Sequence, residues 1–259
     1  MQVVLRQVGH AYGDLPVLDG ISFAVAPGET VALIGPSGCG KSTLLNLVGG
    51  LLELQQGSID LVGTPPPGCL NPLTFVFQDF ALLPWRSVAG NVALALEHHN
   101  LSKAERTARI DEVLALCGLS DFAHVLPKQL SGGMRQRVGI ARAIAVKPAV
   151  LLMDEPLSAL DAQTRELLME DLLAIWSRER TTTLYVTHNL AEAVRLADRV
   201  VVLSRRPGQI KAVVDIPVPV AERGAATHAA QLQAMQAELW QLIKSEAQVA
   251  DREMQHDAG

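Results

Sequence analysis

Residue types that bind the phosphate chain of a nucleotide are concentrated in one segment, Gly35-Pro36-Ser37-Gly38-Cys39-Gly40-Lys41-Ser42-Thr43. Its glycines allow a tight turn and bring backbone N–H groups against phosphate oxygens. Lys41 supplies a cation for the β- and γ-phosphates, and the Ser42 hydroxyl is placed for Mg²⁺. The apolar run 30–34 predicts a strand before the turn, and the run 44–48 predicts a helix whose N-terminus faces the phosphates. The segment is therefore predicted to be a P-loop.

Two adjacent carboxylates, Asp154 and Glu155, follow the apolar run 150–153. This run predicts a buried strand, and ligands of α/β sheets gather outside the carboxyl ends of the strands. There Asp154 can hold Mg²⁺, directly or through water, and Glu155 can take a proton from an attacking water. The alternative interpretation is a pair of solvated acids at the end of a strand.

Two further polar side chains follow predicted strands. Gln78 comes after the apolar run 73–77, and His188 comes after the run 182–187. Gln78 is a candidate contact for Mg²⁺ or water, or an ordinary polar residue at a strand end. His188 can donate to a γ-phosphate or fix the attacking water, although a lone histidine is more often structural.

A second helix N-terminus suited to phosphate lies at Ser131-Gly132-Gly133. Ser131 is a candidate N-cap, and the two glycines leave the first turn bare. The alternative is a plain capped helix. Tyr12 lies in a predicted turn, where it can stack on adenine or be a half-buried tyrosine. Asp161 is predicted to cap a helix that runs through Trp176.

The remaining pattern predicts an α/β protein. Alternating residues over 3–30 predict an antiparallel β unit, and residues 87–145 predict a helical subdomain inserted between strands. Residues 198–215 predict a hairpin at the far side of the core. Apolar residues at helical spacing over 232–243 predict an amphipathic helix, which we expect to pack on its own domain rather than on a partner.

Composition limits the possible partners and surroundings. The 259 residues carry a net charge of −5 with both signs mixed, which gives no electrostatic reason to expect nucleic acid as the main partner. The three cysteines lack metal-ligand spacing and fit a reduced, cytosolic chain. No signal peptide and no run of about twenty apolar residues is evident, so we expect no membrane-spanning segment.

In type and order, these motifs resemble the ATP-binding subunit of ABC transporters over residues 1 to about 215. The matches are Tyr12 with the adenine-stacking aromatic, 35–43 with the Walker A loop, Gln78 with the Q-loop, 130–136 with the signature sequence, 150–155 with the Walker B strand, Asp161 with the D-loop and His188 with the switch histidine.

The resemblance implies a P-loop NTPase core of mainly parallel strands, with the antiparallel β and helical subdomains, over residues 1–220 and a helical tail at 221–259. It implies ATP and Mg²⁺ as cofactors and a head-to-tail dimer, in which one subunit's P-loop ATP is covered by the other's signature sequence. The implied site is catalytic Glu155, His188 and Gln78; magnesium-binding Ser42, Gln78 and Asp154; and nucleotide-binding Tyr12, 35–43, Ser131, Gly132, Gly133, Gln136 and Asp161.

The implied partners are a second ATP-binding subunit, separate transmembrane permease subunits and, indirectly, a periplasmic solute-binding protein. The implied location is the cytoplasmic face of the cell membrane. Segments 82–92, 160–165 and 204–208 resemble the nitrate/sulfonate/taurine import group. Two departures loosen the solute assignment: Leu157-Ser158 replaces the group's usual Phe-Gly, and an expected arginine before Leu73 is missing.

Two other functions remain open at this point. A soluble ABC-type ATPase acting on ribosomes or DNA usually carries two cassettes or long insertions, and this chain has one cassette without a basic patch. A metabolite kinase would use the P-loop but would leave the signature sequence and His188 unexplained.

Overall fold

The computed structural model describes residues 1–178 and 180–257, with residues 178 and 247–257 described by their backbone alone. The strands are β1 (Gln2–Tyr12), β2 (Leu15–Val25), β3 (Thr30–Ile34), β4 (Gln56–Val62), β5 (Leu73–Val76), β6 (Val150–Asp154), β7 (Thr182–Val186), β8 (Arg199–Leu203) and β9 (Ile210–Asp215). The α-helices are α1 (Lys41–Val48), α2 (Val88–Leu94), α3 (Lys103–Leu116), α4 (Gly132–Ile144), α5 (Ala162–Arg178), α6 (Leu190–Leu196) and α7 (Ala229–Asp257).

A six-stranded sheet forms the centre, with strand order β5-β6-β7-β3-β8-β9. All of its pairings are parallel except β8 with β9, which is antiparallel. Strands β3, β6 and β7 are therefore neighbours, and their carboxyl ends lie at one edge of the sheet. The predicted α/β class with a mainly parallel core is confirmed.

A separate three-stranded antiparallel sheet covers one face of the central sheet. Its order is β2-β1-β4, so the chain returns after α1 to add β4 to the N-terminal hairpin. The turn between β1 and β2 has Gly13 at φ 59°, a conformation that favours glycine. The antiparallel N-terminal unit predicted from the alternating pattern is confirmed.

Alternation along the central strands divides the apolar side chains between two cores. On β6, Val150 and Leu152 pack with α1 and the three-stranded sheet. Leu151 and Met153 point to the opposite face, where they pack with α4 and α5. Strands that are buried on both faces need continuous apolar runs, and this explains why the sequence of β6 shows no polar alternation.

The helices between β5 and β6, α2, α3 and α4, do not form a core of their own. They pack into the core that contains Leu151 and Met153 of the central sheet. Ser87 caps α2, and Ser102 caps α3 in a capping box with Glu105. Beyond the C-cap of α3, Gly118 adopts φ 63°, as expected of a residue that ends a helix.

The tail helix α7 packs on its own domain through its first half. Leu232, Leu239 and Ile243 are buried with residues of α6 and β8. This agrees with the packing expected from the helical spacing of the tail. Among residues 1–178 and 180–257, none of the helices combines the length and apolarity needed to cross a bilayer.

One expectation about the β8–β9 hairpin was wrong. The strands lie at the β9 edge of the sheet, but their connecting loop lies against the P-loop instead of at the far side of the core. Gly208 in this loop donates its N–H to the Val17 carbonyl at 2.8 Å. A Cβ on Gly208 would lie 2.2 Å from the carbonyl oxygen of Cys39, so the two backbones are in direct contact.

We predict that Leu239→Ala destabilises the domain, because Leu239 is 0% exposed in the core under α7. The expected loss in the free energy of unfolding is about 2–5 kcal/mol, measured by urea titration. Leu167→Ala, at a leucine of α5 that is 52% exposed, is the control and should change it by less than about 0.5 kcal/mol. Equal effects of the two variants would contradict the packing of α7 on this core.

Candidate functional site

The P-loop connects β3 to α1 as predicted. Gly40 stands at the N-cap of α1 with φ 100° and without a side-chain cap, and a Cβ there would lie 2.6 Å from Leu18 Cδ2. The first-turn N–H groups of α1 are therefore left for a ligand. Lys41 is 7% exposed, and its Nζ donates to the Gly35 and Pro36 carbonyls at 2.9 Å each, which holds the ammonium group within the loop.

Two of the three predicted magnesium ligands, Ser42 and Asp154, lie in contact although they are distant in the chain. Ser42 Oγ donates to Asp154 Oδ1 at 3.0 Å. Burial raises the pKa of the Asp154 carboxyl and the charge of Glu155 adds to this, whereas Ser42 and Lys41 act in the opposite direction. A hydroxyl and a carboxylate beside a phosphate-binding turn are oxygen ligands of the kind that Mg²⁺ takes, so these residues fit that ion.

Glu155 and His188 form a pair at the carboxyl ends of β6 and β7. Glu155 Oε2 lies 3.0 Å from His188 Nδ1. The Glu155 backbone has φ 45°, a left-handed conformation that costs a non-glycine residue about 1–2 kcal/mol. Three hydrogen bonds hold it there. Its N–H donates to the Val186 carbonyl at 2.9 Å, and its carbonyl accepts from Ser158 Oγ at 2.9 Å and from the Ser158 N–H at 3.2 Å.

A cleft of about 390 Å³ lies over the P-loop. Tyr12, at the end of β1, borders it with half of its side chain exposed and its ring edge-on to His10. The lining residues are Tyr12, Leu15, Val17, Ser37, Gly38, Gly40, Lys41, Ser42, Thr43, Glu155 and Arg206. A nucleotide can therefore extend from the P-loop toward the Tyr12 ring.

Three lining residues, Leu15, Val17 and Arg206, were missed in the sequence. Leu15 and Val17 belong to a strand that has no motif of its own. Arg206 lies in the loop whose position was wrongly predicted. The only signal in the sequence was the Arg-Arg-Pro-Gly turn at 205–208, and its type does not reveal which surface it contacts.

Other predicted site residues lie outside this cleft in the single subunit. Gln78 is exposed just beyond β5, next to Phe77. Ser131 is exposed at the N-terminus of α4, where its Oγ accepts from the Met134 N–H at 3.3 Å. Gln136 is 0% exposed, so it has no surface to offer a nucleotide in this conformation; its amide atoms have no hydrogen-bond partner among the described residues.

Gly133, in the first turn of α4, packs directly against the start of α5. A Cβ on Gly133 would lie 2.4 Å from Thr164 Cγ2, whereas a Cβ on Gly132 would have an ordinary contact of 3.6 Å with Leu160 Cδ2. Asp161 caps α5, as predicted, and accepts from the Thr164 N–H at 2.9 Å and from Thr164 Oγ1 at 2.7 Å. These hydrogen bonds lower the pKa of the Asp161 carboxyl.

A buried carboxylate, Glu192 of α6, links this region to His188. Its Oε2 accepts from Tyr185 Oη at 2.9 Å and from Oγ1 of Thr187, the residue before His188, at 2.8 Å. Its Oε1 lies 3.5 Å from Arg165 Nε, and Arg165 Nη2 donates to the Leu160 carbonyl at 2.8 Å. The segment before α5 and the residue after β7 are therefore held by one network, which the sequence analysis missed.

Known proteins similar to this chain include ATP-binding proteins named for import systems. The profile of the ABC transporter family matches residues 18–158. A protein of Brucella abortus named only as an ATP-binding protein is 42% identical over 256 residues, which cover 98% of each chain. The taurine import ATP-binding protein of Rhizobium johnstonii is 48% identical over 201 residues, which cover 77% of this chain and 76% of the relative.

Two further similarities extend the comparison. The nitrate import ATP-binding protein of Synechococcus elongatus is 45% identical over 208 residues, which cover 79% of this chain and 76% of the relative. Among solved structures, the dimeric post-hydrolysis state of an ATP-binding cassette bound to ADP and phosphate matches with a TM-score of 0.70 and 32% identity. That match covers 84% of this chain and 100% of the solved one.

We predict that Gly133→Ala destabilises the subunit, because the added methyl group would overlap Thr164. The expected loss in the free energy of unfolding is about 1–3 kcal/mol, measured by urea titration of the purified chain without nucleotide. Gly132→Ala is the matched control, since its methyl group has room and alanine favours a helix. A loss for Gly132→Ala as large as that for Gly133→Ala would contradict the packing.

Proposed function

The chain belongs to the ABC transporter family, and we propose that it powers the import of nitrate, a sulfonate or taurine through a separate membrane subunit. It binds ATP and is an ATP hydrolase, as members of this family are. The chemistry is the transfer of the γ-phosphoryl group to water, which requires positioning and charge stabilisation more than covalent catalysis.

One observation carries the residue assignment: Glu155 and His188 form a 3.0 Å pair beside the P-loop cleft. In the proposed mechanism the Glu155 carboxylate takes a proton from the attacking water, and His188 orients Glu155 or donates to the γ-phosphate. Lys41 and the N–H groups of the α1 N-terminus bind the phosphates, and Tyr12 stacks on adenine.

Mg²⁺ is proposed as the metal cofactor. Ser42 and Asp154 would hold it, since their oxygen atoms are already 3.0 Å apart. Bound there, the ion would neutralise charge on the phosphates. Gln78 is proposed to join these residues from its exposed position beyond β5.

We propose a dimer in which each ATP is bound between two subunits. The Ser131 and Gly132 end of α4 is a second helix N-terminus suited to phosphate, and it lies outside the cleft of its own subunit. A head-to-tail partner would bring it over the ATP. Gly133 packs behind that surface on Thr164, which binds the carboxylate of Asp161. A structural relative is dimeric with ADP and phosphate bound, which supports this arrangement.

Two exposed aromatic residues mark the surface proposed to contact the permease. Trp85 is 73% exposed ahead of α2, and Phe77 is exposed next to Gln78. ATP binds the closed dimer better than the open one, and hydrolysis removes that preference, so closure can be passed to the permease through this surface. The subunit would then act at the cytoplasmic face of the membrane, with a periplasmic binding protein delivering the solute.

We predict that Glu155→Gln lowers the turnover of ATP by at least about 100-fold, because the proposed base is lost. ATP binding should persist, and the dimer should accumulate on size-exclusion chromatography with ATP. Turnover is measured as released phosphate. The control Glu53→Gln removes an exposed carboxylate outside the site and should leave turnover unchanged. Normal hydrolysis by Glu155→Gln would exclude Glu155 as the base.

The solute is tested by deletion of the chain in its host. We expect loss of growth with taurine or another sulfonate as the sole sulfur source, or with nitrate as the sole nitrogen source, and restoration by the wild-type chain but not by Glu155→Gln. Copurification from membranes with a multi-spanning protein is the biochemical counterpart. Unimpaired growth on all of these sources, together with no membrane partner, would favour the soluble ATPase.

A further inference from the structure

The loop between β8 and β9 brings a second cation to the cleft. Arg206 lines the cleft with Lys41 and Tyr12. Lys41 is almost fully buried and donates to two loop carbonyls, whereas Arg206 is exposed. We propose that Arg206 binds the phosphate chain of the nucleotide, and that the C-terminal helix α7 holds Arg206 in position for this contact.

On the C-terminal side of Arg206, the loop is hydrogen-bonded to β2 and packed against the P-loop. The Gly208 N–H donates to the Val17 carbonyl at 2.8 Å, and the Gly208 carbonyl accepts from the Asp19 N–H at 3.1 Å. The Cys39 carbonyl oxygen would lie 2.2 Å from the Cβ of any larger residue at position 208, so only glycine fits there. Arg206 therefore stands two residues from a fixed contact with the phosphate-binding turn.

A second anchor joins the loop to α7 on the N-terminal side of Arg206. The Arg205 N–H donates to Glu246 Oε2 at 3.2 Å. Lys211 of β9 fixes the same carboxylate, with its Nζ 2.9 Å from Glu246 Oε1 and 3.3 Å from Ser245 Oγ. The Lys211 hydrogen bond lowers the pKa of Glu246, so the anchor is charged at neutral pH.

The loop is also closed on itself, which limits the positions open to Arg206. The Ser204 N–H donates to the Gln209 carbonyl at 2.9 Å, and Ser204 Oγ accepts from the Gln209 N–H at 3.0 Å. A guanidinium group offers planar, paired donors that match two oxygen atoms of a phosphate. With both ends of its loop fixed, the backbone at Arg206 would lose little freedom on binding the nucleotide.

The test compares the ADP affinities of the wild type and its variants by calorimetry. ADP is used because its binding to one subunit requires neither hydrolysis nor a dimer. Arg206→Gln should raise the Kd for ADP about tenfold at low salt, and Arg206→Lys should raise it less because the charge remains. The effect of Arg206→Gln should shrink at high salt, where charge pairing is screened. The control Arg6→Gln removes an exposed arginine of β1 that does not line the cleft, and it should bind ADP as the wild type does.

The contribution of α7 is tested by Glu246→Gln, which removes the negative charge of this anchor without changing a residue that lines the cleft. We expect a twofold to fivefold rise in the Kd for ADP and no further rise when Glu246→Gln is added to Arg206→Gln, because both act through the same contact. Independent, multiplying effects of the two changes would overturn the link to α7.

The inference rests on ATP binding by this cleft, and the outcomes separate the two. If the wild-type chain binds neither ADP nor ATP, the proposed function fails. If the wild-type chain binds ADP and Arg206→Gln binds it equally well, only the role of Arg206 is overturned.

Discussion

Three parallel strands side by side decide where the chemistry of this chain takes place. Because β3, β6 and β7 are neighbours and run in one direction, the residues that follow their carboxyl ends lie together at one edge of the sheet. The P-loop follows β3, Glu155 follows β6, and His188 follows β7. Residues more than 100 positions apart thereby come within hydrogen-bonding distance, as Ser42 and Asp154 do at 3.0 Å.

Polar contacts in the interior hold the loops at this edge of the sheet in place. The burial of Glu192 is offset by hydrogen bonds from Tyr185 and Thr187 and by the charge of Arg165. These contacts fix the chain beside His188 and at the start of α5. Gly133 packs against Thr164 with no room for a methyl group. The start of α4 and the start of α5 are therefore in direct contact.

The tail helix has two kinds of contact with the rest of the subunit. Its apolar face closes a core against α6 and β8, and its Glu246 reaches the loop that lies on the P-loop. Helical spacing predicts the apolar face that makes the first contact, although it does not decide between the helix's own domain and a partner. The second depends on the length of the β8–β9 loop and on its approach to Cys39, which spacing does not encode. For that reason the hairpin was predicted correctly and its surroundings were not.

The sequence by itself determined the α/β class, the strand–turn–helix of the P-loop and the cap at Asp161. Hydrophobic periodicity, glycine placement and helix capping each depend on a few neighbouring residues, so a single sequence shows them. It also named Glu155 and His188, because polar residues directly after apolar runs stand out. Only the tertiary structure decided which surfaces meet: the burial of Gln136, the approach of Arg206 to the cleft and the Glu192 network. Those features depend on contacts between segments that are distant in the chain, and a local sequence pattern does not specify which distant segment it will contact.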